Sequence, residues 1–295
     1  MVLEFGSVSV HLGAQSGKYP DGNQVLVHGP ELNVAFDTPV ASRQRSDVLS
    51  QVDLGILGHV HEDHMAALDL LHHAALMVHE LDVKAAQSWD GLKAHYGYSE
   101  DTLAGVRAMI ERDFHYAPRP DALPYRHQHQ WDLGGGVRIR AHHLPGHTAG
   151  HCALVVENEG LAFIGDIDLS GFGPYYGDAT SDLGAFRRTL REVAELDARV
   201  WVTSHHKAVI TERAQFLRDL ARFTSRIDER AQALIDKIKD RPRRLDDLVR
   251  EGFLYPPGHA APWTASAEAR TVQQHLDELM AQGLVTCQDG CYAWG

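Results

Sequence analysis

His59-Val60-His61-Glu62-Asp63-His64 follows directly on the apolar run VDLGIL and gathers three imidazoles and two carboxylates into six residues. Alternate residues of an extended segment point the same way, so His59 and His61 can grip one ion together. Asp63 stands where a helix N-cap belongs, with His64 in the first turn beside it, which offers a second pair of ligands close to the first. Imidazole and carboxylate donors suit Zn, Fe or Mn better than a soft copper site. Three further pieces follow downstream. His147, in Pro145-Gly146-His147-Thr148-Ala149-Gly150-His151, can complete a three-histidine site with His59 and His61. Asp166 ends the strand pattern LAFIG, and a carboxylate there can bridge two cations held within about 4 Å. Thr203-Ser204-His205-His206 ends the pattern VWV and supplies His205, or its neighbour His206, to close a second site with Asp63 and His64.

The elements that must position these residues alternate between strand and helix. LNVAFDTP and VDLGILG are apolar runs of strand length bounded by turn residues. From Asp63 the pattern through AALDLLHHAALMV predicts a helix, because apolar residues recur at three- and four-residue spacing. Residues 83–117 read as mostly helical. Strand patterns return in VRIRAHHLPG, HCALVVE and LAFIGDIDL, followed by a helix over DLGAFRRTLREVAEL and the strand ARVWVTSH. This order predicts a layered α/β protein. Every candidate ligand falls at a strand end or on the loop after it, where such a sheet presents its chemistry. Beyond residue 211, Phe216, Leu220, Phe223, Ile227, Leu234 and Ile238 mark one long helix. Two helices, a Pro/Gly loop (YPPGHAAP) and a hairpin with an Asp-Gly turn then outline a winged-helix-like module.

HVHEDH, LPGHTAGH, FIGD and TSHH, in this order and preceded by AFDTP, resemble the metallo-β-lactamase-fold hydrolases, glyoxalase II-like members above all. The resemblance covers roughly residues 1–210 and implies a four-layer αββα sandwich with a dinuclear metal centre at one edge. It assigns His59, His61 and His147 to one metal, Asp63, His64 and His205 to the other, and Asp166 as the bridge between them. Asp37 in AFDTP matches an acid that supports the site from behind. Two departures stand out: Pro39 replaces the usual glycine after Asp37-Thr38, and Ser-His-His replaces Gly-His-Gly, with His205 the expected ligand by position. The resulting expectation is a dinuclear hydrolase in which a metal-bridging hydroxide attacks a small ester, thioester or lactone, and Asp63 orients the water or carries its proton. Two divalent ions are expected, zinc first, with iron or manganese as substitutes. Alternatives within the fold are an endoribonuclease or phosphodiesterase and a mononuclear iron persulfide dioxygenase; outside enzymes, a metal-binding regulator.

The remaining sequence narrows these readings. The expected divisions are a catalytic domain over 1–210 with a helical insertion at about 83–117, a connecting helix over 211–240, and the C-terminal module over 241–295. Tyr175 and Tyr176, in a Gly/Pro-interrupted aromatic loop after Asp166, are candidates for a pocket wall and an oxyanion donor; His206 and Lys207 are candidates for an anionic group of the substrate. His151 can line the pocket, and most other histidines read as surface or supporting residues. Arg218, Arg222, Arg226 and Arg230 form a stripe read as a solvated face. The chain carries 20 histidines and a net charge of −12. Residues 241–295 hold five basic against seven acidic residues and no lysine, which argues against nucleic acid as the partner and for a small molecule. That module reads instead as a packing, lid or homodimer element. No apolar run is long enough to span a bilayer, and the N-terminus lacks the pattern of a secretory signal. Three cysteines fit a reducing cytoplasm; Cys287 and Cys291 flank the hairpin turn without forming a disulfide.

Overall fold

The computed structural model describes residues 1–255, 259 and 261–295, so the YPPGHAAP loop lies partly outside the described residues. One seven-stranded sheet runs in chain order through β1 (Val2–Phe5), β2 (Val8–His11), β3 (Gln24–His28), β4 (Asn33–Phe36), β5 (Leu54–Leu57), β6 (Ala75–His79) and β7 (Leu123–Tyr125). A second, six-stranded sheet contains β8 (Gln130–Asp132), β9 (Arg138–His143), β10 (Cys152–Val156), β11 (Leu161–Phe163), β12 (Val200–Val202) and β13 (Val209–Ile210), also side by side in chain order. The pairs from β4 to β7 and the pair β11–β12 are parallel; the others in these two sheets are antiparallel.

The period of two along each strand decides the layers. Val34, Leu54, Ile56, Leu154, Val156, Leu161, Phe163, Val200 and Val202 point between the sheets into one shared core. Their neighbours point outward: Ala153, Val155, Ala162 and Trp201 pack under α5 (Leu183–Glu192) and the start of α6 (Arg213–Asp240). Leu57, Leu76 and Val78 pack under α2 (Val83–Gln87), α3 (Trp89–Tyr96) and α4 (Glu100–Asp113), which follow the short α1 (Ser46–Leu49) in the chain. Helix, sheet, sheet, helix is the expected αββα sandwich.

The helix anticipated after Asp63 is a correction. Residues 62–64 and 68–71 form short 3-10 turns, and Ala75–His79 is β6. Parallel pairing with β5 captures Leu76 and Val78 in a sheet that needs both faces covered, and this overrides their helical spacing. The helices expected at 83–117 and along α6 are present. Past α6, α7 (Leu245–Arg250) and α8 (Thr264–Ala281) pack on Leu234 and Ile238 of α6 and on a small sheet. That sheet orders β14 (Arg243–Arg244), β16 (Cys291–Trp294) and β15 (Val285–Gln288). Cys287 lies opposite Tyr292 and Cys291 opposite Gln288, so the two thiols face opposite sides of the hairpin, and both are free.

Candidate metal centre

Strand ends β4, β5, β11 and β12 and the β9–β10 loop converge on one edge of the sandwich. His59 Nε2, His61 Nδ1 and His147 Nε2 lie 3.0–3.3 Å from one another. Asp166 Oδ2 joins them at 3.3 Å from His147 Nε2 and 3.9 Å from His59 Nε2. A tetrahedron with zinc–nitrogen bonds of about 2.0–2.1 Å has donor–donor edges of about 3.3 Å, so the spacing is that of four ligands around an ion. Beside it, Asp63 Oδ2 lies 3.0 Å from His205 Nε2 and 3.6 Å from His64 Nε2. The other oxygen of Asp166, Oδ1, faces this second group, 3.1 Å from His64 Nε2 and 3.4 Å from His205 Nε2. The seven side chains anticipated from the sequence therefore come together, with one carboxylate turned to both groups. His205 rather than His206 joins them.

Four of the rings are held by their outer nitrogens. His64 Nδ1 donates to Asp37 Oδ2 at 2.7 Å, His61 Nε2 to Asp178 Oδ2 at 2.7 Å, His147 Nδ1 to the Tyr175 carbonyl at 2.9 Å and His205 Nδ1 to the Gly17 carbonyl at 2.8 Å. A neutral imidazole that donates at one nitrogen presents a lone pair at the other, so four inward nitrogens are set up as ligands. His64 Nε2 and Asp166 Oδ1 are buried and find no hydrogen-bond partner among the described residues. Buried polar atoms left in that condition are costly, and a divalent ion would satisfy both. The charges agree. Burial pulls His205 down, yet Asp166 and Asp63 outweigh it and lift it to about 10. His61 rises to about 9 against the same burial, chiefly through Asp178. Burial drives Asp63 up, and His64 with His205 more than reverse it, keeping the carboxylate charged. The residues present fit the two metals that the resemblance implies.

Local chain chemistry explains the loops. Gly146 precedes His147 with φ of 132°, and a Cβ there would stand 2.4 Å from the Phe186 backbone of α5. Only glycine lets the loop press that close. Gly165, before Asp166, has φ of 55° and leaves no room for a Cβ beside His151 Nε2, at 2.6 Å. Asp37 itself sits at φ of 52° and also accepts the Gly58 amide at 2.8 Å, locking β4 to the start of the His59 loop.

Several expectations need correction. Asp63 lies inside a 3-10 turn whose N-cap is His61, with no side-chain cap; its carboxylate faces His205 instead. Tyr176 is fully buried away from the ligands, bonded to His275 Nε2 at 2.8 Å and to Arg230 at 3.2 Å, and so is no pocket wall. The Tyr175 ring does lie against His61 and His147, but its hydroxyl is committed to Tyr98 at 3.1 Å and Asp178 at 3.2 Å rather than free for an oxyanion. His206 turns toward Asp168, 3.7 Å away, and Lys207 pairs with Asp219 at 3.3 Å. His151 is structural, spanning the Leu144 carbonyl and the Asp166 amide. Arg230 leaves its solvated stripe: it is buried and bonds the carbonyls of Phe172 and Pro174, pinning the aromatic loop to α6.

Sequence reading missed Asp178 and Asp82 and left Glu62, inside the HVHEDH run, without a role. Asp82 accepts from Thr148 Oγ1 and the Gly150 amide at 2.7 and 2.8 Å and from the Val60 amide at 3.3 Å, tying the His59 and His147 loops together. Glu62 accepts from Tyr96 at 2.6 Å and Tyr19 at 3.2 Å. Asp178 and Asp82 are single acids outside any motif, with no spacing that would have revealed them.

Among known proteins, the chain is 34% identical over 130 residues to a hydroxyacylglutathione hydrolase of Aeromonas salmonicida, covering 41% of this chain and 42% of that protein. It is 30% identical over 114 residues to an atrochrysone carboxyl ACP thioesterase of Paecilomyces divaricatus, covering 39% and 35%. The chain thus spans less than half the length of these relatives. A metallo-beta-lactamase family protein of Thermus thermophilus shares the fold over 98% of this chain and 99% of its own, with a TM-score of 0.71 and 23% identity. Residues 40–205, more than half of the sequence, match the Metallo-beta-lactamase superfamily, and the chain belongs to that superfamily.

Proposed function

We propose that the protein is a metal-dependent hydrolase that binds two divalent ions, zinc first, and cleaves small thioesters or related esters. The observation that carries this reading is Asp166, whose two oxygens turn to two separate groups of imidazole and carboxylate donors. His59, His61 and His147 would hold one ion and Asp63, His64 and His205 the other. The ions when bound would polarise the substrate carbonyl and bring the pKa of a water from about 16 toward about 7. The chain's own residues do the rest. Asp178 and Asp37 fix the orientation of His61 and His64, so that little reorganisation is needed at the moment of reaction. Asp63, 4% exposed and kept ionised by two imidazoles, is placed to accept a proton from water and return it to the leaving group. Thioester hydrolysis is favoured over other ester chemistry because both relatives described above are thioester hydrolases by name. A mononuclear iron site would leave Asp63, His64 and His205 assembled without a role.

Elemental analysis of protein prepared without chelator, paired with a panel of thioester, lactone and phosphodiester substrates, tests the reading. Two metals per chain and preferential thioester cleavage are expected. One iron per chain with no hydrolysis, or phosphodiester cleavage alone, would overturn it.

A further inference from the structure

The two donor groups of the centre rest on different parts of the chain. In the second group, His64 donates to Asp37 and His205 to the Gly17 carbonyl, and among the described residues neither support is bonded to α6, α7 or α8. In the first group, both of the held rings lean on one short segment: His147 Nδ1 donates to the Tyr175 carbonyl at 2.9 Å and His61 Nε2 to Asp178 at 2.7 Å. Residues 173–182 form neither strand nor helix, so their backbone groups must find partners elsewhere.

They find them on α8. Gln274 Nε2 donates to the Tyr176 carbonyl at 2.8 Å, and Gln274 Oε1 accepts the Leu183 amide at 2.6 Å. The Leu183 amide opens the first turn of α5, where a helix has no internal acceptor to offer. One side chain thus ties both ends of residues 176–183, the span that carries Asp178. The next residue of α8, His275, meets the Tyr176 hydroxyl at 2.8 Å through Nε2, so residue 176 is held at its carbonyl and at its side chain. Gly177 presses directly on the helix: a Cβ there would stand 2.8 Å from the Ala267 Cβ, an approach that only glycine permits. At the far end Ser181 Oγ donates to the His147 carbonyl at 2.7 Å and the Asp182 amide to the Gly146 carbonyl at 3.0 Å, which closes the segment back onto the ligand loop. α8 is itself secured by the buried Glu268, whose carboxylate accepts the amides of Phe253 at 3.1 Å, Leu254 at 2.8 Å and Tyr255 at 2.7 Å. All of α8 lies beyond residue 205, where the match to the superfamily ends.

Resting on the two-metal reading, we infer that α8 is part of the metal site, and that Gln274 is a positioning residue for the His59, His61 and His147 group, acting through the backbone of residues 175–178. A turn of the Tyr176 peptide would carry the Tyr175 carbonyl and the Asp178 carboxylate with it, so two rings would lose their direction together while His64 and His205 keep theirs.

Gln274→Met keeps the length of the side chain and removes both of its hydrogen bonds. Metal-free protein titrated with zinc against a chromophoric chelator should bind the first-group ion about three- to tenfold more weakly in this variant, a smaller loss than changing a ligand's direct partner brings. The first-group step is the one that His147→Ala abolishes, and the other affinity should not move. Gln274→Glu keeps an acceptor for Leu183 but turns an oxygen toward the Tyr176 carbonyl; it should repeat the selective loss, and it gives the same readout if the methionine variant fails to fold. Glu278→Gln is the control, because the Glu278 carboxylate binds Arg187 of α5 at 2.9 Å and no residue of the 172–183 stretch among the described residues; it should move neither affinity. Equal weakening of both ions by the Gln274 variants, or the same selective loss in Glu278→Gln, would overturn the inference, since α8 would then act through packing alone. Imidazole NMR of isotope-labelled, metal-free protein supplies a readout without metal: the His147 Nδ1 proton should exchange with water faster in Gln274→Met than in the parent. Two zinc ions bound with parent affinities in both Gln274 variants overturn the inference and leave the hydrolase reading standing. Zinc binding at neither group of the parent, with faster exchange at His147 in the variant, sinks the metal reading and supports the positioning role.

Discussion

Replacing Asp178 with asparagine keeps the shape of the side chain and removes its charge where His61 is held. His61 Nε2 lies 2.7 Å from Asp178 Oδ2, both groups are buried, and among the described residues no other acceptor is bonded to that nitrogen. Tyr98 and Tyr175 donate to the other oxygen, so the carboxylate is the hub of a three-donor network. An asparagine retains one acceptor oxygen but also brings two N–H groups into a site that holds donors. Either His61 or the tyrosines must then lose a partner. A buried hydrogen bond to a charged group contributes about 1.5–3 kcal/mol, and each 1.4 kcal/mol is about tenfold in an equilibrium constant. Zinc affinity at the His59, His61 and His147 group should therefore fall by about 10- to 100-fold, the range found when supporting groups of metal ligands are changed. Asp178 is bonded to none of Asp63, His64 and His205 among the described residues, so that group should keep its affinity. Titrating metal-free protein with zinc against a chromophoric chelator resolves the two steps. A variant in which neither affinity moves, or in which both fall equally, would refute the idea that Asp178 acts through His61.

Two other outcomes follow from the same physical picture. Asp63→Asn should weaken the ion held with His64 and His205 and also lower turnover by orders of magnitude when zinc is added to saturate both groups, as read by elemental analysis beside steady-state kinetics; near-normal turnover at saturating zinc would remove Asp63 from proton transfer. His275 is fully buried between Tyr176 and Phe253, and burial, reinforced by Arg230 and Arg187, pulls it down to about 3. An unfolded histidine takes its proton near pH 6.5, so the unfolded chain gains protons first as pH falls. Stability is then complete above about pH 6.5 and declines below it, by about 3 kcal/mol from this residue by pH 4. Urea unfolding from pH 7 to pH 4 should show a shallower decline in His275→Gln than in the parent; equal slopes would contradict this.

The site was far more legible in the sequence than its supports were. His59, His61, Asp63 and His64 lie within six residues, and His147, Asp166 and His205 each close a recognisable strand, so local pattern and chain order suffice to group them. The order of strands and helices was legible enough to give a layered α/β protein, whereas the αββα sandwich came from the family resemblance, because β5, β10, β11 and β12 are apolar on both faces and show no alternation. What failed was whatever depends on distant partners. Asp178 is 117 residues from His61, Asp82 is 66 from Thr148, and Glu268 finds its amides across a loop. Leu76 and Val78 read as helix until β5 claimed them, and Arg230 read as surface until the carbonyls of residues 172 and 174 reached it.

This division has a physical cause that bears on the chain's acidity. Ligands must converge within a few ångströms and carry donor atoms of a restricted kind, so the permitted sequences are few and patterned. A supporting carboxylate needs only to arrive beside a ring nitrogen, and any loop can deliver it. Residues 1–211 carry 16 basic against 27 acidic side chains, and the acids of the centre are buried against imidazoles rather than paired with lysine or arginine. Asp37, Asp63, Asp166 and Asp178 all contact histidines. Without an ion these acids hold His61 and His205 protonated, and a bound cation would take over that counter-charge as the rings give up their protons. The excess of acid over base in this part of the chain is thus partly the counter-charge of the proposed metals, and removing the metals should cost stability as well as activity.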